Sequence, residues 1–274
     1  MPELQERKLG LNGFNARYIE STRSVTADKH VLFIHGLGSS ADRWLGIMKV
    51  LSRYYHTIAV DLLGFGGSDK PATIDYTMND FRDFIIDFID ELGISDCKTS
   101  IVGHSLGGYV AAEVTIEKKY LVERLVLIDS SGMLRKPTPL LERYLDAAID
   151  PSYEKVRKVF EQMVADPARV NTKLVNDFIR RMNLTNAKYP FKLALANSAN
   201  TQIGLKRLKL IDDIRTLIIW GREDKVIPLH YSKLFKQAIK KSELKIIEDA
   251  GHAPFVEKPG LVSEIIHTFL SSNP

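Results

Sequence analysis

Cysteine is almost missing from this chain. Cys97 stands alone among 274 residues, so no intrachain disulfide braces the fold, and we read that residue as a small core or surface filler. No apolar run is long enough to span a bilayer, and the opening MPELQERKLG is charged where a secretory leader needs an apolar stretch. There is no zinc-type Cys/His spacing, no long basic run and no RNA-binding signature. The net charge of +4 is too small to argue for nucleic acid. These absences describe a soluble, cytoplasmic chain, monomer or homodimer, with no nucleic acid partner and no stable membrane insertion. It is long enough to bury a large core.

What is present is alternation. Asn12-Gly13 sits between two runs of alternating polarity, the strongest short hairpin signal. KHVLFIHG, HTIAVDLLG, KTSIVG, VERLVLIDSSG, RTLIIWG and ELKIIED are short apolar runs of the kind that form strands buried on both faces. Helical spacing separates them. One such segment surrounds Trp44, Ile47, Met48 and Leu51; another runs from Phe81 to Leu92, opened by Thr77 with Asp80 three residues on and ended by Gly93. LGGYVAAEVTIEKK, HYSKLFKQAIKK and a last helix from Pro259 complete the set. Strands alternating with helices predict an α/β fold with a mostly parallel sheet covered on both faces.

Between 133 and 205 the alternation stops. LLERYLDAAI, YEKVRKVFEQMV, TKLVNDFIRRMN and YPFKLALANSA have helical spacing, with no strand pattern among them. We expect an inserted helical cap, residues 133–205, over a core made of 1–132 and 206–274. It would lie at the carboxyl edge of the sheet, where open α/β sheets bind ligands. Residues 133–210 hold 15 basic and 7 acidic side chains, a net of +8 that leaves −4 for the rest. The plain reading is a solvated lysine-rich surface; the sharper one is attraction of anionic substrates or a membrane surface.

The chemistry concentrates in IVGHSLGGYV, residues 101–110. A strand before and a helix after are the setting of the G-x-S-x-G nucleophile elbow, in which a strained turn projects the serine hydroxyl from the sheet. Strand and helix then crowd the flanking positions, which explains Gly103 and Gly107 around Ser105. A serine hydroxyl needs a base, and the base an orienting acid. Of the histidines after Ser105, His267 lies within the last helix and His230 at the start of another. His252, in EDAGHAPF, follows a strand in a glycine-flanked loop that can aim a ring across the sheet edge. The acid should come from the strand end IIWGREDKVIP, which offers Glu223 and Asp224. The amide of Leu106, next after the serine, is a donor for the developing oxyanion.

At this point the sequence resembles the α/β-hydrolase superfamily, over nearly the whole chain outside 133–205. The family's acid loop, G-x-x-D with a proline beyond, matches Gly221, Asp224 and Pro228; this implies Asp224 as the acid, Glu223 as a solvent-facing neighbour and Asp129 as fallback. HGLG (35–38) is similar to the family's H-G-x-G segment, which implies Leu37 as the second oxyanion amide and His35 as a loop stabiliser. DLLGFGGSDKP is similar to its D-x-x-G-x-G-x-S turn, with Asp61, Gly64, Gly66 and Ser68, and Leu63 where proline is frequent; that turn is expected to be structural.

A serine at the elbow disfavours the dehalogenase and epoxide hydrolase members, which use aspartate. The chain is also similar to the meta-cleavage product hydrolases, but these typically carry tryptophan shortly after the histidine, where this chain has Ala253, Pro254 and Phe255. We therefore expect first a carboxylesterase for small to medium esters, second a C–C bond hydrolase, and third a slow-turnover small-molecule receptor. No metal or cofactor is needed for the first. Met133, Val226 and Phe255 are expected to line the acyl pocket with Leu37.

Overall fold

The computed structural model describes residues 2–22, 29–95 and 99–272; Cys97 lies outside the described residues. The hairpin forms as the Asn-Gly pair demands. Strands β1 (Leu4–Leu11) and β2 (Phe14–Ser21) pair antiparallel. Asn12 and Gly13 both take the left-handed conformation, φ 50° and 85°, as a type I′ turn requires. β3 (His30–Ile34), β4 (His56–Val60), β5 (Thr99–His104), β6 (Val122–Ile128), β7 (Thr216–Gly221) and β8 (Ser242–Ile247) follow. The eight described strands form one sheet in the order β1-β2-β4-β3-β5-β6-β7-β8. It is antiparallel as far as the β2–β4 pair and parallel from β4 to β8.

The helices cover both faces. They are α1 (Leu45–Leu51), α2 (Met78–Glu91), α3 (Leu106–Glu117), α4 (Pro139–Ile149), α5 (Tyr153–Met163), α6 (Thr172–Met182), α7 (Lys188–Asn200), α8 (Gly204–Leu208), α9 (His230–Ala238), α10 (Pro254–Glu257) and α11 (Pro259–Ser271). Side chains of period two divide the core accordingly. Val31 and Phe33 of β3 join α1 and α11 in one apolar cluster, while Leu32 and Ile34 join α2, α3 and α9 in the other. Thr77 and Asp80 form the expected reciprocal cap at the start of α2.

Between β6 and β7 only helices occur among the described residues. Thr138, Ser152 and Asn171 each accept a hydrogen bond from an amide three residues on and so open α4, α5 and α6. Tyr144, Phe160, Phe178 and Phe191 knit these helices through ring pairs with centroids 5.0 to 6.4 Å apart. No described helix is long and apolar enough to cross a membrane.

The D-x-x-G-x-G turn is held by a buried carboxylate. Asp61 accepts from the amides of Ala41 (2.6 Å) and Gly67 (2.7 Å) and from the Arg17 guanidinium (3.0 Å). Arg17 also meets Asp42 and Glu6. Burial opposes its charge, and these partners outweigh the burial and raise its pKa. Gly66, at φ 51°, lies so close that a methyl group there would overlap the Asp61 carboxyl. Asp61→Ala would strand a buried guanidinium and two amides. It should cost about 3–5 kcal/mol in urea unfolding, against about 1–3 kcal/mol for Ser68→Ala, which removes two neutral hydrogen bonds, one from the Arg17 amide and one to the Asp61 carbonyl.

Candidate active site

Ser105 sits between β5 and α3 at φ 52° and ψ −118°, a conformation unfavourable for any L-residue. The crowding that enforces it is visible at each neighbouring glycine. A methyl group on Gly103 would overlap the Gly107 carbonyl, and one on Gly107 would overlap the Ile34 and His35 carbonyls; Gly108 abuts Ser130 beyond the end of β6. Leu106 is the first residue of α3, so its N–H has no partner within the helix. Leu37 lines the cavity above Ser105. Its carbonyl accepts from the Tyr144 hydroxyl of α4 at 3.1 Å, which fixes the loop's backbone from the far side.

Ser105, His252 and Asp224 come together although far apart in sequence. Ser105 Oγ donates to His252 Nε2 at 3.0 Å, and His252 Nδ1 donates to Asp224 Oδ2 at 2.9 Å. A carboxylate only accepts, so the Nδ1 proton belongs to the histidine and Nε2 is left as the acceptor facing the hydroxyl. The other Asp224 oxygen accepts from the amides of Val226 (2.7 Å) and Ile227 (2.9 Å). Such a relay can take a proton from the serine as its oxygen attacks a carbonyl carbon.

Asp129, the sequence alternative, occupies a different place. It follows the last residue of β6, at φ 43°, and accepts from the Gly221 amide at 2.9 Å. Burial, and then the charge of the adjacent Asp224, raise its pKa well above the usual carboxylate value. Ligand atoms of Asp129, Asp224 and His252 lie within 4.8 Å of one another, a spacing that could hold a metal. The Asp224 oxygens, however, are already committed to two amides and the imidazole.

Four further side chains brace the site: His104 and Glu257, which the motifs did not single out, and Glu223 and His35, which lie within them. His104 is buried, and its Nε2–H donates to the His252 carbonyl at 2.6 Å; burial, then the neighbouring His252, push its pKa well down, so the ring is neutral. Buried Glu257 accepts from the amides of Gly251 (2.8 Å) and Ala165 (2.8 Å), tying the His252 loop to the segment after α5. Glu223 is not merely solvent-facing: it accepts from the Ala250 amide at 2.9 Å and links the acid loop to the histidine loop. His35 donates to the Gly36 carbonyl (2.7 Å) and accepts from the Leu62 amide (3.0 Å), a loop brace.

A cavity of about 110 Å³ opens on Ser105. Leu37, Val226 and Phe255 line it, with Leu141, Phe160 and Phe178 from the helices between β6 and β7. Met133 does not. The chain reverses at Gly132 (φ 105°), whose carbonyl accepts from the Ile203 amide, and Met133 is absorbed into the core. Trp44, remote from His252 in sequence, stacks on Phe255 with centroids 4.2 Å apart. Besides Ser39, His104, Tyr144 and the Ser105–His252 pair, the polar side chains of the cavity are Arg43 and Arg181. Among the described residues neither guanidinium pairs with a carboxylate, and Arg181 Nε is buried without a partner. Withdrawal from water, then repulsion from Arg181, lower the Arg43 pKa.

The pattern of the family described as alpha/beta hydrolase fold matches residues 29–259. A 2-hydroxy-6-oxo-6-(2'-aminophenyl)hexa-2,4-dienoic acid hydrolase of Metapseudomonas resinovorans is 29% identical, over 97% of this chain and 91% of its own. A meta-cleavage product hydrolase from Pseudomonas fluorescens superposes with TM-score 0.87 at 26% identity, covering 96% of this chain and 97% of its own. A membrane phospholipase A does so at 0.85 and 25% identity, covering 97% and 86%.

The Asp129 pKa has a consequence for stability. A carboxyl raised on folding contributes stability below its unfolded pKa and loses it as pH climbs toward the folded value. Asp129→Asn keeps the acceptor for Gly221 and cannot ionise. Its stability relative to the parent should therefore rise as pH climbs above about 4 and show no gain below that, as read from thermal unfolding across pH.

Proposed function

The chain belongs to the alpha/beta hydrolase fold family, and from that membership we propose that it hydrolyses small acyl compounds bearing a carboxylate, through an acyl-serine at Ser105. His252 takes the Ser105 proton as Oγ attacks the carbonyl carbon. The amides of Leu37 and Leu106 hold the oxyanion, and Asp224 orients the imidazole and balances its charge. The protonated imidazole gives its proton to the leaving group. Water then surrenders a proton to His252, attacks the acyl-serine and releases the acid. The helical segment 133–205 serves as a cap that keeps bulk water from the intermediate.

The observation that carries the substrate class is the unpaired guanidinium pair in a largely apolar cavity. Two like charges withdrawn from water are costly unless an anion joins them. The dienoic acid that gives its name to the relative from Metapseudomonas resinovorans supplies such a carboxylate. We therefore put cleavage of a carbon–carbon bond in a 2-hydroxy-6-oxo-dienoate first. There the substrate first moves the proton of its 2-hydroxyl to carbon 5, so that the leaving group is the conjugated dienolate of the 2-oxo acid, which takes its proton at oxygen. An ester is the second reading, favoured by Ala253 next to His252 and by the apolar walls; it asks for no such prior proton shift.

Turnover of a 2-hydroxy-6-oxo-dienoate, p-nitrophenyl hemiglutarate and p-nitrophenyl butyrate tests this. The acid-bearing substrates should be preferred. Arg181→Gln should cut their kcat/KM by about 10- to 100-fold, the worth of a charged hydrogen bond, and affect the butyrate far less. Preference for the butyrate would overturn the substrate class. Ser105→Ala, His252→Ala and Asp224→Asn should each lower kcat by about 10⁴-fold or more with the fold intact; if Asp129→Asn did so and Asp224→Asn did not, the acid would be Asp129.

A further inference from the structure

Arg43 and Arg181 face two spaces. They line the cavity beside Ser105 and, together with Leu174, they also line a groove on the outside of the molecule. The groove runs between α6 and the segments around Ser40–Leu45 and Gly66–Gly67. Its charged lining is Arg17, Arg43, Lys173, Arg180 and Arg181 against Asp42 and Asp177. Arg17 is already met by Asp42 and Asp61. Asp177 is shared by Lys173 (2.5 Å) and Arg180 (3.0 Å). The positive excess therefore deepens inward, from exposed Lys173 and Arg180 on the rim to half-buried Arg43 and Arg181 at the inner end.

Resting on the carboxylate reading above, we propose that this groove is the entrance vestibule of the active site: it draws the anionic end of the substrate from solution and passes it between Arg43 and Arg181 to Ser105. A cleft lined by one sign of charge with low-dielectric walls focuses the field along its axis and concentrates counter-ions. The apolar wall shared by both spaces at Leu174 lets the uncharged part of a substrate follow. Elsewhere the cavity is roofed by Tyr144, Phe160 and Phe178, whose rings pack on one another. Lys173 and Arg180 do not line the cavity, yet they carry the sign that the inner pair carries. The basic excess of the 133–210 segment thus has a local use at this groove.

Charge changes on the rim test it, because they predict effects of opposite sign. The measurement is the ratio of kcat/KM for p-nitrophenyl hemiglutarate to that for p-nitrophenyl butyrate at low and high salt. Lys173→Glu and Arg180→Glu should each lower the ratio by roughly threefold at low ionic strength, and Asp177→Asn should raise it. High salt should shrink all three shifts, since the rim is exposed and screened. A merely structural role for α6 would move all three variants the same way. Ratios unmoved, or moving together, would overturn the vestibule. If Ser105 turned over neither ester nor the 2-hydroxy-6-oxo-dienoate, the acyl-serine reading would fail by itself. The groove would then be judged by calorimetric affinity for glutarate in Ser105→Ala. Weakening by Lys173→Glu and Arg180→Glu with strengthening by Asp177→Asn would support it; indifference to all three would refute it.

Discussion

The conformation of a single residue governs how closely everything else can approach. Ser105 holds positive φ between a buried strand and a buried helix, and it can do so only because its surroundings leave no alternative. Gly103 lets α3 lie against the end of β5, and Gly107 lets the helix meet the carbonyls of Ile34 and His35. That second contact brings the loop after β3, with Leu37, to the same edge as the first turn of α3. One strained turn thus places a hydroxyl beside the first turn of α3 and the loop after β3, and the cost of the strain, of order 1–3 kcal/mol, is carried by the apolar sheet beneath. Rigid elements rather than loops set the distances, which is the condition for a preorganised site.

The histidine is positioned by different means. His252 lies in a loop with no regular structure, and its ring needs an aim as well as a partner. Asp224 holds the ring from one side, but four contacts hold the backbone: Glu223 at Ala250, Glu257 at Gly251, Met163 at the His252 amide and His104 at the His252 carbonyl. Met163 ends α5, and Glu257 also grips Ala165, so the helices between β6 and β7 are fastened to the loop that carries the base.

Legibility from sequence divided along the range of the interactions involved. The hairpin turn, the Thr77 cap, the six inner strands and the helical break after β6 depend on local patterns, and each formed where its pattern lay. Ser105 and His252 could be singled out because each lies just beyond a strand in a turn or loop flanked by glycine, and Asp224 was preferred to Glu223 because its loop resembles the family's G-x-x-D segment. What stayed hidden was contact between residues of no distinctive pattern. Glu257 looks like any helix glutamate until it is buried against two amides. Trp44 looked remote from His252 because sequence distance says nothing about which helix covers which strand. Met133 follows a strand as a pocket residue would, but one left-handed glycine before it turns it into the core. Arg43 and Arg181 lie 138 positions apart and were only two of the chain's many basic residues.

That arginine pair also shows where selection for binding departs from selection for stability. Two guanidiniums drawn from water without a counter-charge lower the stability of the empty protein, and an apolar pair of similar volume would pack the cavity better. Buried Arg17 has three carboxylates, and buried Arg124 has the carbonyls of Phe269 and Ser272. Arg43 and Arg181, beside the serine held in a strained turn, pair with no carboxylate among the described residues. On the carboxylate reading proposed above, an anion that joined the pair would release that free energy on binding, and it could go into orienting an acyl carbon over Ser105. The strain at the elbow and the unmet charge in the cavity are two forms of the same investment, both sustained by the parallel sheet below them.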